Sequence, residues 1–163
     1  LGISYLIAGR NEDARDEFAR SVDLTSNAWV YHGLACLYLK SDPEKAKQFI
    51  MEGMALQRER LSYQKEGFKI LEKCGAYKEI DEEYKKQTAE NQKNGRIQYY
   101  YVAALEKLER NEEAYHLLND GDGIDVSDIR EGDSDIQAIW ESLHEKLYGE
   151  KGHLPHYYNF KVN

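Results

Sequence analysis

Apolar residues recur at helical spacing along residues 1–118, in blocks separated by short polar turns. LGISYLIA leads into GRNEDA (9–14), YHGLACLYLK into SDPEKA (41–46), EGFKILEKC into GAYKEI (75–80), and YYYVAALEKL into ERNEEA (109–114). Within each block the apolar positions fall on one helical face, as Tyr101, Leu105 and Leu108 do. Aligned on the last residue of each turn, the chain repeats at Ala14, Ala46, Ile80 and Ala114, with spacings of 32, 34 and 34 residues. Four positions later stand Phe18, Ile50, Tyr84 and Leu118, all large and at least partly apolar. Each turn also carries signals that start a helix. Asn11 or Ser41 can cap free backbone N–H groups, acidic residues follow where the helix dipole favours them, and Pro43 sits where its missing N–H costs little. The pattern predicts units of helix, turn and helix. One such unit cannot bury both its faces, so successive units must stack.

A helix–turn–helix repeat of this length, with small residues at fixed places, resembles the tetratricopeptide repeat. Leu1-Gly2, Tyr5, Ala14 and Phe18 match its spacing in the first unit, and Trp29, Gly33 and Ala46 in the second. Gly67 and Tyr84 match in the third, where Ile80 replaces the alanine; Ala114 matches in the fourth, where Val102 replaces the glycine. The resemblance covers residues 1–119. It implies an all-α, right-handed solenoid of helical hairpins, with about three and a half to four repeats. The expected role is a non-catalytic scaffold for protein–protein interaction. In physical terms, glycine and alanine at these positions let neighbouring helices approach closely.

Residues 120–163 depart from the period. NDGDGIDVSDIREGDS (119–134) reads as a loop. A further amphipathic helix is expected at about 134–148, with Ile136, Ile139, Trp140, Leu143 and Leu147 on one face. Ser134 and Gln137 form a capping box at its start, and Gly149 is its stop. This helix is expected to cap the stack. The aromatic tail 152–163 is expected to pack back on the chain. IREGD, LHEKL and NFKV resemble the C-termini of long bacterial repeat proteins with an uncharacterised or sugar-processing-like region upstream. That likeness, and an opening already inside a helical pattern, imply the C-terminal fragment of a larger bacterial protein. An alternative role is then a structural stacking or dimerisation module of a carbohydrate-active protein.

Charge narrows the partners. Net charge is −8, which opposes binding to nucleic acid or to an anionic membrane surface. The expected partner is a protein or peptide, or an upstream domain of the same chain. No stretch approaches the ~20 apolar residues of a membrane span. Cys36 and Cys74 make neither a disulfide framework nor a zinc set; read as buried free thiols, they point weakly to the cytoplasm.

Catalytic, cofactor and metal motifs fail on inspection. In Asp120-Gly121-Asp122-Gly123-Ile124-Asp125, Ile124 takes a calcium-ligand place and Asp125 the place that needs glycine. His144-Glu145 lacks the second histidine of H-E-x-x-H, and His153 with His156 lack a third ligand. Acidic pairs such as Glu82-Glu83 and Glu112-Glu113, and the charged run 78–96, read as solvated helix surface. In such arrays the first helix of each hairpin lines the concave side. Asn27, Tyr31, Gln64, Phe68, Arg96, Tyr99 and Ala103 are therefore the expected groove residues, suited to an extended peptide or a helix. Val30 and Leu34 stand where a carboxylate-clamp variant of the repeat places Lys and Asn, giving an apolar groove face instead.

Overall fold

The protein is described from a computed structural model, which covers residues 13–17, 27–127, 129 and 136–155. Among these residues every regular element is a helix. After a short helical stretch at 13–17 come α1 (Ala28–Tyr38), α2 (Pro43–Leu56), α3 (Leu61–Lys73), α4 (Tyr77–Lys85), α5 (Ala89–Gln92), α6 (Gly95–Lys107), α7 (Asn111–Asn119) and α8 (Ile136–Tyr148). The chain divides into two compact units at the Ala76–Tyr77 bond.

In the first unit α1 packs on α2, α2 on α3, and α1 also touches α3. Asn27 caps α1 by accepting from the Trp29 N–H at 3.0 Å. The cap of α2 is Asp42, one residue beyond the expected Ser41: its Oδ1 accepts from the Lys45 N–H at 3.1 Å, with Pro43 opening the helix. Ala46, Ile50, Met54, Tyr63, Phe68 and Leu71 are fully buried. Gly67 is needed here, because a Cβ would press into the Met54 side chain. Gln64 is buried too. Its Nε2 donates to the Met54 and Gln57 carbonyls at 3.0 and 2.7 Å. It thereby satisfies acceptors that the end of α2 leaves open. Leu34, expected on a groove face, is instead buried beside Ala14, with Val30 and Phe49 packed around it.

In the second unit α6 packs against α4, α7 and α8, and α5 touches α6. Tyr101, Val102, Leu105, Ala114, Leu118, Ile124, Ile136, Trp140 and Leu143 form its core. The expected helix at 134–148 is α8, and it packs on α6 and α7. Its Ser142 and Lys146 both donate to Glu106 Oε1 on α6, at 2.6 and 2.8 Å. Trp140 Nε1 donates to Asn119 Oδ1 at 2.9 Å. Gly149 stops α8 with φ 75°. Ser134 of the capping box lies outside the described residues, as do positions 156–163 of the tail. Residues up to 155 turn back: Gly152 lies against the Trp140 and His144 rings, and Leu154 packs on the core.

The run 78–96 is less solvated than its composition suggests. Glu82 is exposed, but Glu83, Gln87 and Asn91 are buried. Spaced four apart, they form a polar row joined by side-chain bonds. Asn91 Nδ2 donates to Gln87 Oε1 at 3.0 Å, Gln87 Nε2 to the Glu83 carbonyl at 3.3 Å, and Lys86 Nζ to the Glu83 carboxylate at 2.9 Å. Burial is tolerated because the polar atoms are paired. The loop after α7 is drawn inward by Ile124, which is 3% exposed, so it serves as a core element. Among the described residues no group of three or more His, Cys, Asp or Glu could hold a metal ion. No described helix is long and apolar enough to cross a membrane.

Candidate interaction surface

The partly exposed chemistry of the first unit lies along α1 and α3. On α1, Trp29, His32 and Cys36 recur at i, i+3 and i+7, which puts them on one face. On α3, Tyr63 and Glu66 come up beside them. The Trp29 ring meets Tyr63 edge-on at 4.9 Å and 67°, and His32 at 5.5 Å and 66°. Tyr63 is itself buried and fixes the pair of helices by donating its hydroxyl to the Ala28 carbonyl at 2.5 Å. Burial pushes the Tyr63 phenol well above its ordinary value, so it stays a donor. The Arg60 guanidinium lies 5.9 Å from the Trp29 ring, within cation–π range.

His32 sits between a thiol and a carboxylate. Its Nδ1 is 3.9 Å from Cys36 Sγ and its Nε2 is 4.0 Å from Glu66 Oε2. Burial lowers the imidazole pKa, and Glu66 offsets this only in part. Burial also raises the Cys36 thiol; Lys73 pulls it down and Glu66 pushes it up. A thiol shifted upward is poorly activated for nucleophilic attack. The stripe is better suited to recognition, offering an indole with a guanidinium 5.9 Å from its ring and, beside His32, a carboxylate.

The residues expected to line a groove are placed differently from one another. Asn27 is exposed but occupied in capping α1. Tyr31 turns toward α2, with its ring 6.3 Å from Phe49 and Glu52 beside its hydroxyl. Gln64 and Phe68 are fully buried and present no side chain to a partner. In the second unit Arg96 and Tyr99 lie on α6, both half-buried, and Tyr99 meets Tyr100 at 5.5 Å; Ala103 is half-buried. Cys36, expected to be buried, is exposed, and Cys74 is half-buried; neither is in a disulfide.

Sequence reading selected the 27/31 and 64/68 faces, while the partly exposed stripe runs along 29/32/36 and 66. The difference is roughly 150–180° of helical rotation, so the stripe lies nearly opposite the selected faces. Trp29 and Gly33 had marked the repeat, and continuing from them at i+3 and i+4 would have found the stripe. Comparison with family models, with curated proteins and with solved structures gives no match to this chain.

Proposed function

We propose that this chain is a non-catalytic protein-interaction scaffold built from tetratricopeptide-like helical hairpins stacked as a solenoid. The observation that carries this reading is burial in repeat register. Ala14, Ala46, Ile80 and Ala114 are all 0% exposed, and Ile50 and Leu118, four residues further on, are 0% and 1% exposed. Burial at these positions is what a stacked repeat requires, although Tyr84, the third of the +4 series, is half-buried. The partner is a protein or peptide segment, taken by the Trp29–His32–Glu66 stripe. Cys36 and Cys74, neither in a disulfide, suit a reducing compartment.

Hydrogen–deuterium exchange tests this reading, run on the chain alone and with proteins captured on it, beside a Trp29→Ala, Glu66→Ala variant. The expected result is partner-dependent protection over 28–38 and 61–73 that the variant loses. If self-association in sedimentation velocity is the only interaction found, and the variant does not alter it, the chain is a structural stacking module instead.

A further inference from the structure

His32 stands where α1 meets α3, with only 24% of its side chain exposed. Aromatic rings close on it from both helices, Trp29 at 5.5 Å and Tyr63 at 6.4 Å. Each ring nitrogen faces a side chain: Nδ1 lies 3.9 Å from Cys36 Sγ and Nε2 lies 4.0 Å from Glu66 Oε2. A neutral imidazole suits this setting. It can accept the thiol proton on Nδ1 and carry its own proton on Nε2, toward the carboxylate.

A second proton disturbs both contacts. Nδ1 becomes a donor, so the thiol proton must leave the space between ring and sulfur. The new charge has Glu66 at 4.0 Å, beyond the ~3.2 Å reach of a hydrogen bond. That carboxylate is itself 37% exposed, so water screens its attraction. The other charges on this side are cations: Lys73, which acts on the Cys36 sulfur, and Arg60 beside the Trp29 ring. The Tyr63 hydroxyl stays neutral and is engaged with the Ala28 carbonyl. On other faces of α1, Glu52 of α2 lies beside Tyr31, and Arg15 of the stretch at 13–17 lies over Tyr38. One screened carboxylate is thus set against burial and two cations.

The folded chain therefore favours the neutral ring. Burial holds the imidazole below its ordinary value of 6.5, with Glu66 opposing. A depressed folded value means that the ring takes a proton more readily once α1 and α3 part. The stability it lends the joint is full above the ordinary value and is lost as pH falls. The interaction surface is built from both helices, Trp29 and His32 on α1 and Tyr63 and Glu66 on α3, so parting them divides it.

We propose that this joint is a proton-operated release, in which protonation of His32 parts α1 from α3 and takes apart the Trp29–His32–Glu66 surface. The bound partner rests on the scaffold reading; the parting of the helices belongs to the chain alone.

Two measurements on the whole chain test this: an NMR titration of the His32 ring, and hydrogen–deuterium exchange between about pH 7.5 and 5, corrected for intrinsic exchange. The His32 midpoint is expected below that of the urea-unfolded chain. Opening of 28–38 and 61–73 should rise on acidification, by about tenfold for each pH unit between the two midpoints. His32→Gln should abolish that pH dependence in the first unit and leave the second unit's unchanged. Glu66→Gln should lower the His32 midpoint further and enlarge the acid loss, a response that decides the matter even if His32→Gln folds poorly. A folded midpoint at or above the unfolded one, a pH dependence that His32→Gln retains, or a midpoint that rises in Glu66→Gln would each overturn the proposal. Neither readout needs a partner, so failure here is separate from failure to capture one.

Discussion

The Arg110 guanidinium reaches Asp81, 29 residues earlier in the chain, with Nη1 donating to Oδ1 at 2.8 Å. The same guanidinium holds Glu113 through Nε and Nη2 at 2.9 and 2.6 Å. Glu113 in turn accepts from the Tyr101 hydroxyl at 3.1 Å, and Tyr101 stacks on Tyr84 at 3.8 Å and 8°. One side chain thus ties the α6–α7 turn to α4 and to an aromatic pair in the core. Burial pushes the Asp81 carboxyl up, but hydrogen bonds from Lys85 and Arg110 outweigh it and hold it below its ordinary value. A depressed folded value means stability that is fully present above the ordinary Asp value of 3.8 and lost as pH falls through the folded one. Asp81→Asn is expected to cost about 1 kcal/mol at neutral pH, discounted because Arg110 is partly exposed. It should also flatten the acid limb of stability against pH, measured by urea denaturation from neutral pH downward. An unchanged acid limb would remove Asp81 from this role.

Gly95 opens α6 directly beneath the loop that follows α7. A Cβ there would land on the Asp125 carbonyl oxygen, which is backbone and cannot swing aside. Gly95→Ala is therefore expected to destabilise by about 1–3 kcal/mol. Gly121→Ala is a useful comparison: it also lies in this region but has open space around it, so its cost comes from φ 63° alone. Thermal unfolding of the two variants should show Gly95→Ala as the more severe.

The repeat alanines make a paired prediction. Ala46 and Ala114 are 0% exposed in their respective units. Leucine at either place should overpack the hairpin and cost ~1–3 kcal/mol. Serine, nearly the same size, should be milder. If Ala114→Leu left the urea midpoint unchanged, the close approach attributed to this position would be wrong.

Gly75 has φ 67° and nothing within 4 Å of where a Cβ would stand. Gly75→Ala is expected to cost about 1 kcal/mol from backbone strain alone. Glu109→Gly should return a similar amount. The two variants form a matched pair, and calorimetry should find shifts of opposite sign.

Cys36 is an exposed residue whose thiol is nevertheless raised, first by burial of the sulfur's surroundings and then by Glu66, against the pull of Lys73. Alkylation by iodoacetamide at pH 8 should accordingly be slower than that of an unstructured thiol. Lys73→Ala should slow it further, and denaturant should abolish the difference. A folded-state rate above the unstructured one would contradict the raised thiol.

The helical class and the turn positions could be read from the pattern because they depend on local chemistry. Apolar spacing, caps and breakers act within a few residues, so turns were found where Gly75 and Gly149 reverse the chain. In the Tyr99-Tyr100-Tyr101 run three successive helical residues point in three directions, and Tyr100 and Tyr101 are buried while Tyr99 is half-buried.

The candidate site was less legible. Which of Gln64, Phe68, Trp29 and Glu66 meets solvent depends on the rotation of each helix about its axis, and that is set by its packed neighbours. Gln64 looked like a surface amide, yet it closes the carbonyl end of α2. Glu83 looked solvated, yet it lies buried in a polar row with Gln87 and Asn91. Sequence by itself determined that this protein would be helical and punctuated by turns at a period near 34, because those choices are made by near neighbours along the chain. Only tertiary structure decided which polar groups went inside and where Glu109 would be strained. Those outcomes depend on residues far apart in sequence that come to share one volume, and periodicity along the chain carries no record of that partner.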